Sequence, residues 1–397
     1  MLVKLGTVLK VQHGYAFKSE SYVKKSHYRL VTLGNFSENN TFKYNNSKAI
    51  YYGADFPKEF ILQENDLILP LTEQVEGLFG NTALVPCSTN YKFVLNQRVG
   101  KIICNESKVN KLYLHYLLAS ESVKKQLEAR ASGTRQRNIS PENIYDVTVD
   151  LPNIELQIKI GLMLKKIENQ IESNNTIVKR LQVLSHTIYK QWFIQFEHPN
   201  SNRNLVYNTE LKRKIPIGWK VVSLYDLMHK LNLTADQTIN SPTIDLSVMP
   251  SSNISLINLN SSDKFSTDLN RMKEGNILFG SIRPYLKKCG VAPCDGKVTG
   301  TVYQFEVHQP EAYNYILMTM SQDFFFDYAL KVSTGTRMPV VSADEILSYK
   351  LPYNENIVHL FNKLPIKKLI LSINKNTNKL IKLKDKLLPL LINGQLE

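Results

Sequence analysis

The run SGTRQRNISPENI at residues 132–144 returns as TGTRMPVVSADEI at residues 334–346. Gly133, Thr134 and Arg135 fall on Gly335, Thr336 and Arg337, Ser140 on Ser342 and Ile144 on Ile346, each at the same shift of 202 positions. Both copies then reach a Leu-Pro pair, Leu151-Pro152 and Leu351-Pro352. Self-similarity at so long a period means that the chain is two divergent copies of one unit.

A helical pattern follows each Leu-Pro pair. Ile160, Leu164, Ile167, Ile171, Asn174, Val178, Leu181, Ser185, Ile188 and Trp192 are spaced alternately by four and three, the seam of a coiled coil. Ile366, Leu369, Ile373, Asn376, Leu380, Leu383 and Leu387 repeat that spacing, and Asn174 falls on Asn376. Asparagine in an apolar seam costs stability but fixes register when paired across it. The spacing predicts helices over 154–196 and 366–388 that pack antiparallel, the two asparagines meeting near the middle, if a pseudo-twofold axis relates the copies. Asn153 suits the N-cap of the first helix; Pro365 should start or kink the second and Pro389 end it.

The part of each copy before its helix reads as mostly strand. Short apolar runs such as Leu67-Ile68-Leu69 and Gln304-Phe305-Glu306-Val307 are separated by Gly and Pro. Glu64-Asn65-Asp66-Leu67-Ile68-Leu69 echoes Glu274-Gly275-Asn276-Ile277-Leu278-Phe279, and Val85-Pro86-Cys87 echoes Ala292-Pro293-Cys294, a shift that also puts Gln97 on Gln304. One helix is expected before each GTR run, over 111–131 and 312–332. The polar, Pro-punctuated stretch 197–219 reads as a linker. The expected architecture is α+β: mixed α/β domains at 1–150 and 198–350, each followed by a long helix, at 151–197 and 351–397.

Composition narrows the function. The 397 residues are 43% hydrophobic and 21% charged, so real cores are affordable, and 49 basic against 35 acidic residues give a net charge of +14. That excess favours a polyanion, nucleic acid before membrane. No run of about 18 apolar residues marks a spanning helix, and the polar-broken start is unlike a signal peptide. Cys87, Cys104, Cys289 and Cys294 form no CxxC pair and the eight histidines are scattered, which argues against a disulfide framework or a zinc site and for the cytoplasm. No GxxxxGK[ST], GxGxxG, HExxH or NPPY/F-type run is present, so no catalytic, cofactor or metal residue is assigned.

The pattern resembles the specificity subunit of type I restriction–modification systems. The likeness rests on Gly133-Thr134-Arg135 with Ile139 and Leu151-Pro152, on the helix to Phe193, on Ile215-Pro216-Ile217-Gly218-Trp219 with Leu224 and Asp226, and on the second GTR run, Leu-Pro pair and final helix. The resemblance implies two target-recognition domains, each reading half of a split, asymmetric site on double-stranded DNA. It implies spacer helices that dock methyltransferase subunits, two of them, with room for a restriction/translocase subunit, and no catalysis by the chain itself. One departure is that Gln136-Arg137-Asn138 becomes Met338-Pro339-Val340, a less polar loop.

Contacts to DNA are expected from Thr134, Arg135, Arg137, Thr336 and Arg337 beside the glycines, where backbone approaches phosphate closely. Gln74, Arg98, Arg283, Tyr285, Lys287 and Lys288, in loops after strands, are the candidate base readers. A different reading is a coiled-coil adaptor whose globular parts bind protein and whose charge is incidental.

Overall fold

The computed structural model describes residues 2–37, 39–44, 46–74, 77–199 and 204–392. It forms two compact units, Met1–Asn169 with Lys382–Glu397, and Gln170–Ile381. The division falls inside both long helices rather than at their ends.

The repeat is a repeat of topology. In the first unit Leu9–His13, Val99–Cys104, Leu67–Pro70 and Ala83–Leu84 form an antiparallel sheet in that order. In the second, Met228–Leu231, Val302–Val307, Ile277–Gly280 and Cys289–Val291 take the same places. Each unit adds a two-stranded pair that ties the strand preceding its main sheet to the segment before its long helix: Leu2–Lys4 with Thr148–Asp150, and Lys220–Ser223 with Lys350–Tyr353. Each also has a second four-stranded sheet, Tyr22–Val23, Tyr51–Tyr52, Tyr28–Val31 and Lys92–Leu95 in one, Asn260–Ser261, Pro242–Ile244, Gly296–Val298 and Asn270–Met272 in the other.

The unbroken apolar runs are strands buried on both faces. Side chains alternate across a strand, so Leu67 and Leu69 enter one core and Ile68 another. Ile277 and Phe279 divide from Leu278 in the same way. The strand register also corrects one echo. Val99 pairs with Pro70 and Val302 with Gly280, which sets Gln97 against Gly300. Gln304 is instead a buried strand residue whose amide donates to Arg271 O (3.0 Å) and accepts from Lys273 N (2.8 Å).

Where one helix was expected before each GTR run there are two, Lys111–Leu118 with Glu121–Arg130, and Tyr313–Met320 with Asp323–Lys331. Ser120 (ψ 148°) and Gln322 (ψ 152°) are extended and break the helical path. The first long helix is Ile154–Tyr189, continued by a π-helical turn at Lys190–Ile194. Asn153 caps it, accepting from Leu156 N at 2.9 Å. The second is split by Pro365 into Glu355–Asn362 and Ile366–Ile392. Pro389 does not end it. It removes one main-chain donor, but the last turn buries Leu391 and Ile392 in the first unit's core, which offsets that loss.

The helices run antiparallel in the second unit, where Asn174 meets Thr377 while Trp192, further along, meets Phe361, earlier in its own segment. In the first unit Ile160 and Leu164 share a core with Leu391 and Ile392, and Lys384 Nζ lies 2.6 Å from the Glu168 carboxylate. On the first helix Leu164, Ile167, Asn174 and Val178 are buried and Ile171 and Leu181 half-buried. On the second helix the expected stripe is displaced. Ile366 is buried and Ile373 and Leu380 half-buried, but Leu369 and Leu383 are 39% and 45% exposed and Asn376 faces solvent. The inward positions are Ile370, Asn374 and Thr377, at 0–1% exposure. Asn174 therefore pairs with Thr377, donating from Nδ2 at 3.0 Å, and not with Asn376.

The stretch read as a linker folds. Leu205–Asn208 and Arg213–Pro216 form a hairpin, and Phe196, Ile215 and Trp219 join the second unit's core, the Phe196 and Trp219 rings 5.2 Å apart. Residues 200–203 lie outside the described residues. No helix among the described residues is long and apolar enough to cross a membrane.

Candidate nucleic-acid interface

Each GTR run is the tip of a small hairpin built in the same way twice. Ser132 N donates to Asn138 O (2.9 Å) and Asn138 N to Ser132 O (2.8 Å); Thr334 and Val340 exchange the same two bonds at 2.9 and 2.8 Å. Gly133 and Gly335 turn the chain at φ +109° and +92°, where a side chain would be strained. A Cβ on Gly133 would also sit 2.2 Å from Gln136 O. Buried Ile139 and Val341 anchor the hairpins from below, donating from their amides to Leu71 O and Ser281 O, both at 3.0 Å. Ser140 and Ser342 then cap short helices through Asn143 N and Glu345 N, and Ile144 and Ile346 are buried behind them. The repeated residues of the opening sequences are thus the turn, the caps and the anchors of one device.

In the first unit the hairpin borders an open groove of about 500 Å³ lined by His13, Gln97, Arg98, Gln136, Asn138 and Ser140, among others. Leu71 N donates to Arg98 O (2.9 Å), which fixes the Arg98 turn beside the hairpin. Gln74, Arg98, Thr134 and Arg135 are exposed. Arg137 is not a free reader: its guanidinium lies 3.0 Å from the carboxylate of Glu73, 1% exposed, donates to Glu128 O at 2.7 Å and stacks over Phe79. Glu73 in turn accepts from Leu78 N and Phe79 N. Arg137 neutralises a buried charge and pins the base of the hairpin.

In the second unit Thr301 stands where Arg98 stands in the first, its carbonyl accepting from Ser281 N (3.0 Å). The flanking arginine comes from the other side: Ile282 bridges to Val340, and Arg283 N donates to Pro339 O at 2.7 Å. Arg283 and Lys287 both adopt left-handed backbone (φ 52°). Arg283, Tyr285, Thr336 and Arg337 are exposed. Lys287 is paired with Asp323 at 2.7 Å and Lys288 donates to Leu246 O, so both lysines have protein partners. Each unit thus sets an exposed arginine of a neighbouring segment against the hairpin that carries an exposed GTR arginine, by a different route. Such a surface suits phosphate and base edges.

The groove contains residues that sequence reasoning missed. Gln136 and Asn138 followed the GTR run and could have been named. His13 gave no local signal, because the register of Gly100 with His13 brings it there from far away in the chain. Among the described residues no group of three or more His, Cys, Asp or Glu could hold a metal ion.

The family model for the Type I restriction modification DNA specificity domain matches residues 1–183. The chain is 31% identical over 133 residues to the type I restriction enzyme MjaIX specificity subunit of Methanocaldococcus jannaschii, covering 34% of this chain and 30% of that protein. It is 24% identical over 180 residues to the EcoBI specificity subunit of Escherichia coli, covering 45% and 34%. These matches span well under half the length of either relative. A crystal structure of the type I restriction–modification S subunit from M. genitalium superposes with a TM-score of 0.59 at 12% identity, covering 99% of this chain and 96% of that one, a likeness of fold.

Proposed function

We propose a DNA-reading role from the premise that this chain is an HsdS-like specificity subunit of the type I restriction–modification family. Each unit reads one half of a bipartite, asymmetric target in double-stranded DNA. The observation that carries this reading is the duplicated hairpin: the same turn, anchors and caps recur in both units and present Arg98 with Arg135 in one and Arg283 with Arg337 in the other. Contacts of this kind position the protein on phosphates, and neighbouring Gln74 and Tyr285 supply base-edge contacts. The chain itself catalyses nothing. Two methyltransferase subunits dock on it and supply the chemistry, a restriction subunit joins them, and the assembly works in the cytoplasm.

The test is binding of the chain, assembled with its cognate methyltransferase, to DNA carrying its methylated site. Affinity should fall steeply with salt, and scrambling either half of the site should abolish preference for it. Binding indifferent to both half-sites would sink the reading and favour a protein-binding adaptor.

A further inference from the structure

The turn that carries Gln97 joins the two sheets of the first unit, between Lys92–Leu95 and Val99–Cys104. Its backbone is held on every side. Gln97 N donates to Tyr15 O (2.9 Å), Val99 N to Asn96 O (2.8 Å) and Leu71 N to Arg98 O (2.9 Å). The second unit builds the same turn between Gly296–Val298 and Val302–Val307, where Val302 N donates to Thr299 O and Ser281 N to Thr301 O, both at 3.0 Å. Val99 pairs with Pro70 as Val302 pairs with Gly280, so Gly300 occupies the place of Gln97. Its φ lies outside the left-handed region, and a Cβ there would meet nothing within 4 Å. Neither backbone conformation nor crowding therefore requires glycine at this position.

Gln97 is exposed and lines the groove of about 500 Å³. The other side-chain amides of that wall are already engaged. Gln136 Nε2 donates to Asn138 Oδ1 (3.2 Å), Asn138 Nδ2 to Gln136 O (3.3 Å) and Asn143 Nδ2 to Arg130 O (3.0 Å). The guanidinium of Arg98 can only donate. The Gln97 amide has no protein partner among the described residues, so it presents one donor and one acceptor together. Adenine shows the matching pair in the major groove, with N7 as acceptor and N6–H as donor. Guanine shows two acceptors there, which suit Arg98 and not an amide.

We infer that Gln97 is a specificity-determining residue of the first half-site, its amide seated on N7 and N6 of an adenine, and that Gly300 leaves the equivalent base pair of the second half-site unread. The inference rests on the DNA-reading role proposed above.

Gln97→Ala removes an exposed side chain, so the variant should keep the wild-type Tm. Chain assembled with its cognate methyltransferase is titrated with duplexes in which each base pair of the methylated site is changed in turn. Wild type should lose about tenfold in affinity or more when one A·T pair of the first half-site is replaced. It should lose affinity likewise when that adenine is 7-deazaadenine, which pairs normally but lacks the N7 acceptor. Q97A should no longer discriminate at that pair and should read the second half-site as wild type does. Gly300→Gln should add a preference for adenine at one position of the second half-site, and Gly300→Ala, which adds only a Cβ, should not. If Q97A keeps wild-type preference throughout the first half-site, the inference is overturned and the DNA-reading role stands. An even loss across all sequences marks a phosphate contact, and relaxation at a pair other than A·T marks a different base; each overturns it too. G300Q with unaltered preference overturns the assignment of Gly300. A wild-type complex indifferent to both half-sites would instead sink the DNA-reading role.

Discussion

Single residues separate the arginines that hold the fold from those that face solvent. Arg98→Ala or Arg135→Ala should weaken DNA binding evenly across sequences and lower the salt slope by about one, with thermal stability unchanged. Arg137→Ala should do the reverse, because it strands the Glu73 carboxylate at 1% exposure; a loss on the order of 3 kcal/mol in denaturant unfolding is expected. Equal stabilities for the R98A and R137A variants would contradict this assignment. Gly133→Ala places a Cβ 2.2 Å from Gln136 O at φ +109°, against 3.0 Å from Met338 O for Gly335→Ala, so the first should cost more, on the order of 1–3 kcal/mol. His115 is a pH-sensitive residue of the first unit's core. Burial drives its pKa down to about 4, with Glu168 opposing, and its ring nitrogen shares a 2.6 Å bond with Thr82. The folded value lies below the unfolded one, so the unfolded chain binds the extra proton. Stability is fully present above about pH 6.5 and is lost as pH falls toward 4, by on the order of 2–3 kcal/mol. The drop in Tm between pH 7 and 5 should be smaller in His115→Asn than in wild type; an unchanged drop would remove His115 as its cause.

At the scale of elements, the helix pair is held by polar groups at chosen points along an apolar seam. Asn174 and Thr377 meet in the second unit; Glu168 takes Lys384 and the Tyr116 hydroxyl (2.8 Å) in the first. Asn174→Leu should cost about 1 kcal/mol by leaving Thr377 without its donor, and the double variant with Thr377→Val should recover much of it. Asn376→Leu, on the exposed side, should change unfolding by less than about 0.5 kcal/mol. Should N376L be the costlier change, the register described for this helix is wrong. The second helix carries two apolar stripes, one through Leu369, Ile373, Leu380 and Leu383 and one through Ile370 and Ile381. A four-three spacing cannot choose between them, and the inward stripe includes Asn374 and Thr377, which look like surface residues in sequence.

For the whole molecule, the two-copy construction makes modularity testable. Exchanging residues 1–150 for those of a relative should change one half-site and leave the other and the spacer as they were. Because each long helix is paired, lengthening the spacer requires four residues in both, at the unit boundaries after Asn169 and after Ile381. Four residues add roughly 6 Å and rotate the chain by about 40° beyond a full turn; coiled coils absorb such a stutter by local unwinding. Mapping methylated sites should then show the same half-site bases with one or two more base pairs between them, at about 3.4 Å each. Altered half-site bases in the insertion variant would refute the ruler role.

The duplication, the α+β class, the two long helices and the repeated residues of each GTR run were legible in the sequence; that those residues are the turn and caps of a hairpin came with the structure. They rest on local physics: a glycine where φ must be positive, a serine where a helix starts, a four-three period where a helix is buried on one side. What the tertiary structure alone decided were the matters of partnership. That Arg137 is bound to Glu73, that Lys287 and Lys288 already have partners, that His13 and Gln97 stand beside Asn138, and that Thr377 rather than Asn376 meets Asn174 all depend on strand register and helix rotation. Those are set by the summed burial of many side chains far apart in the chain, and no single residue type announces which charge will find a counter-charge once the cores close.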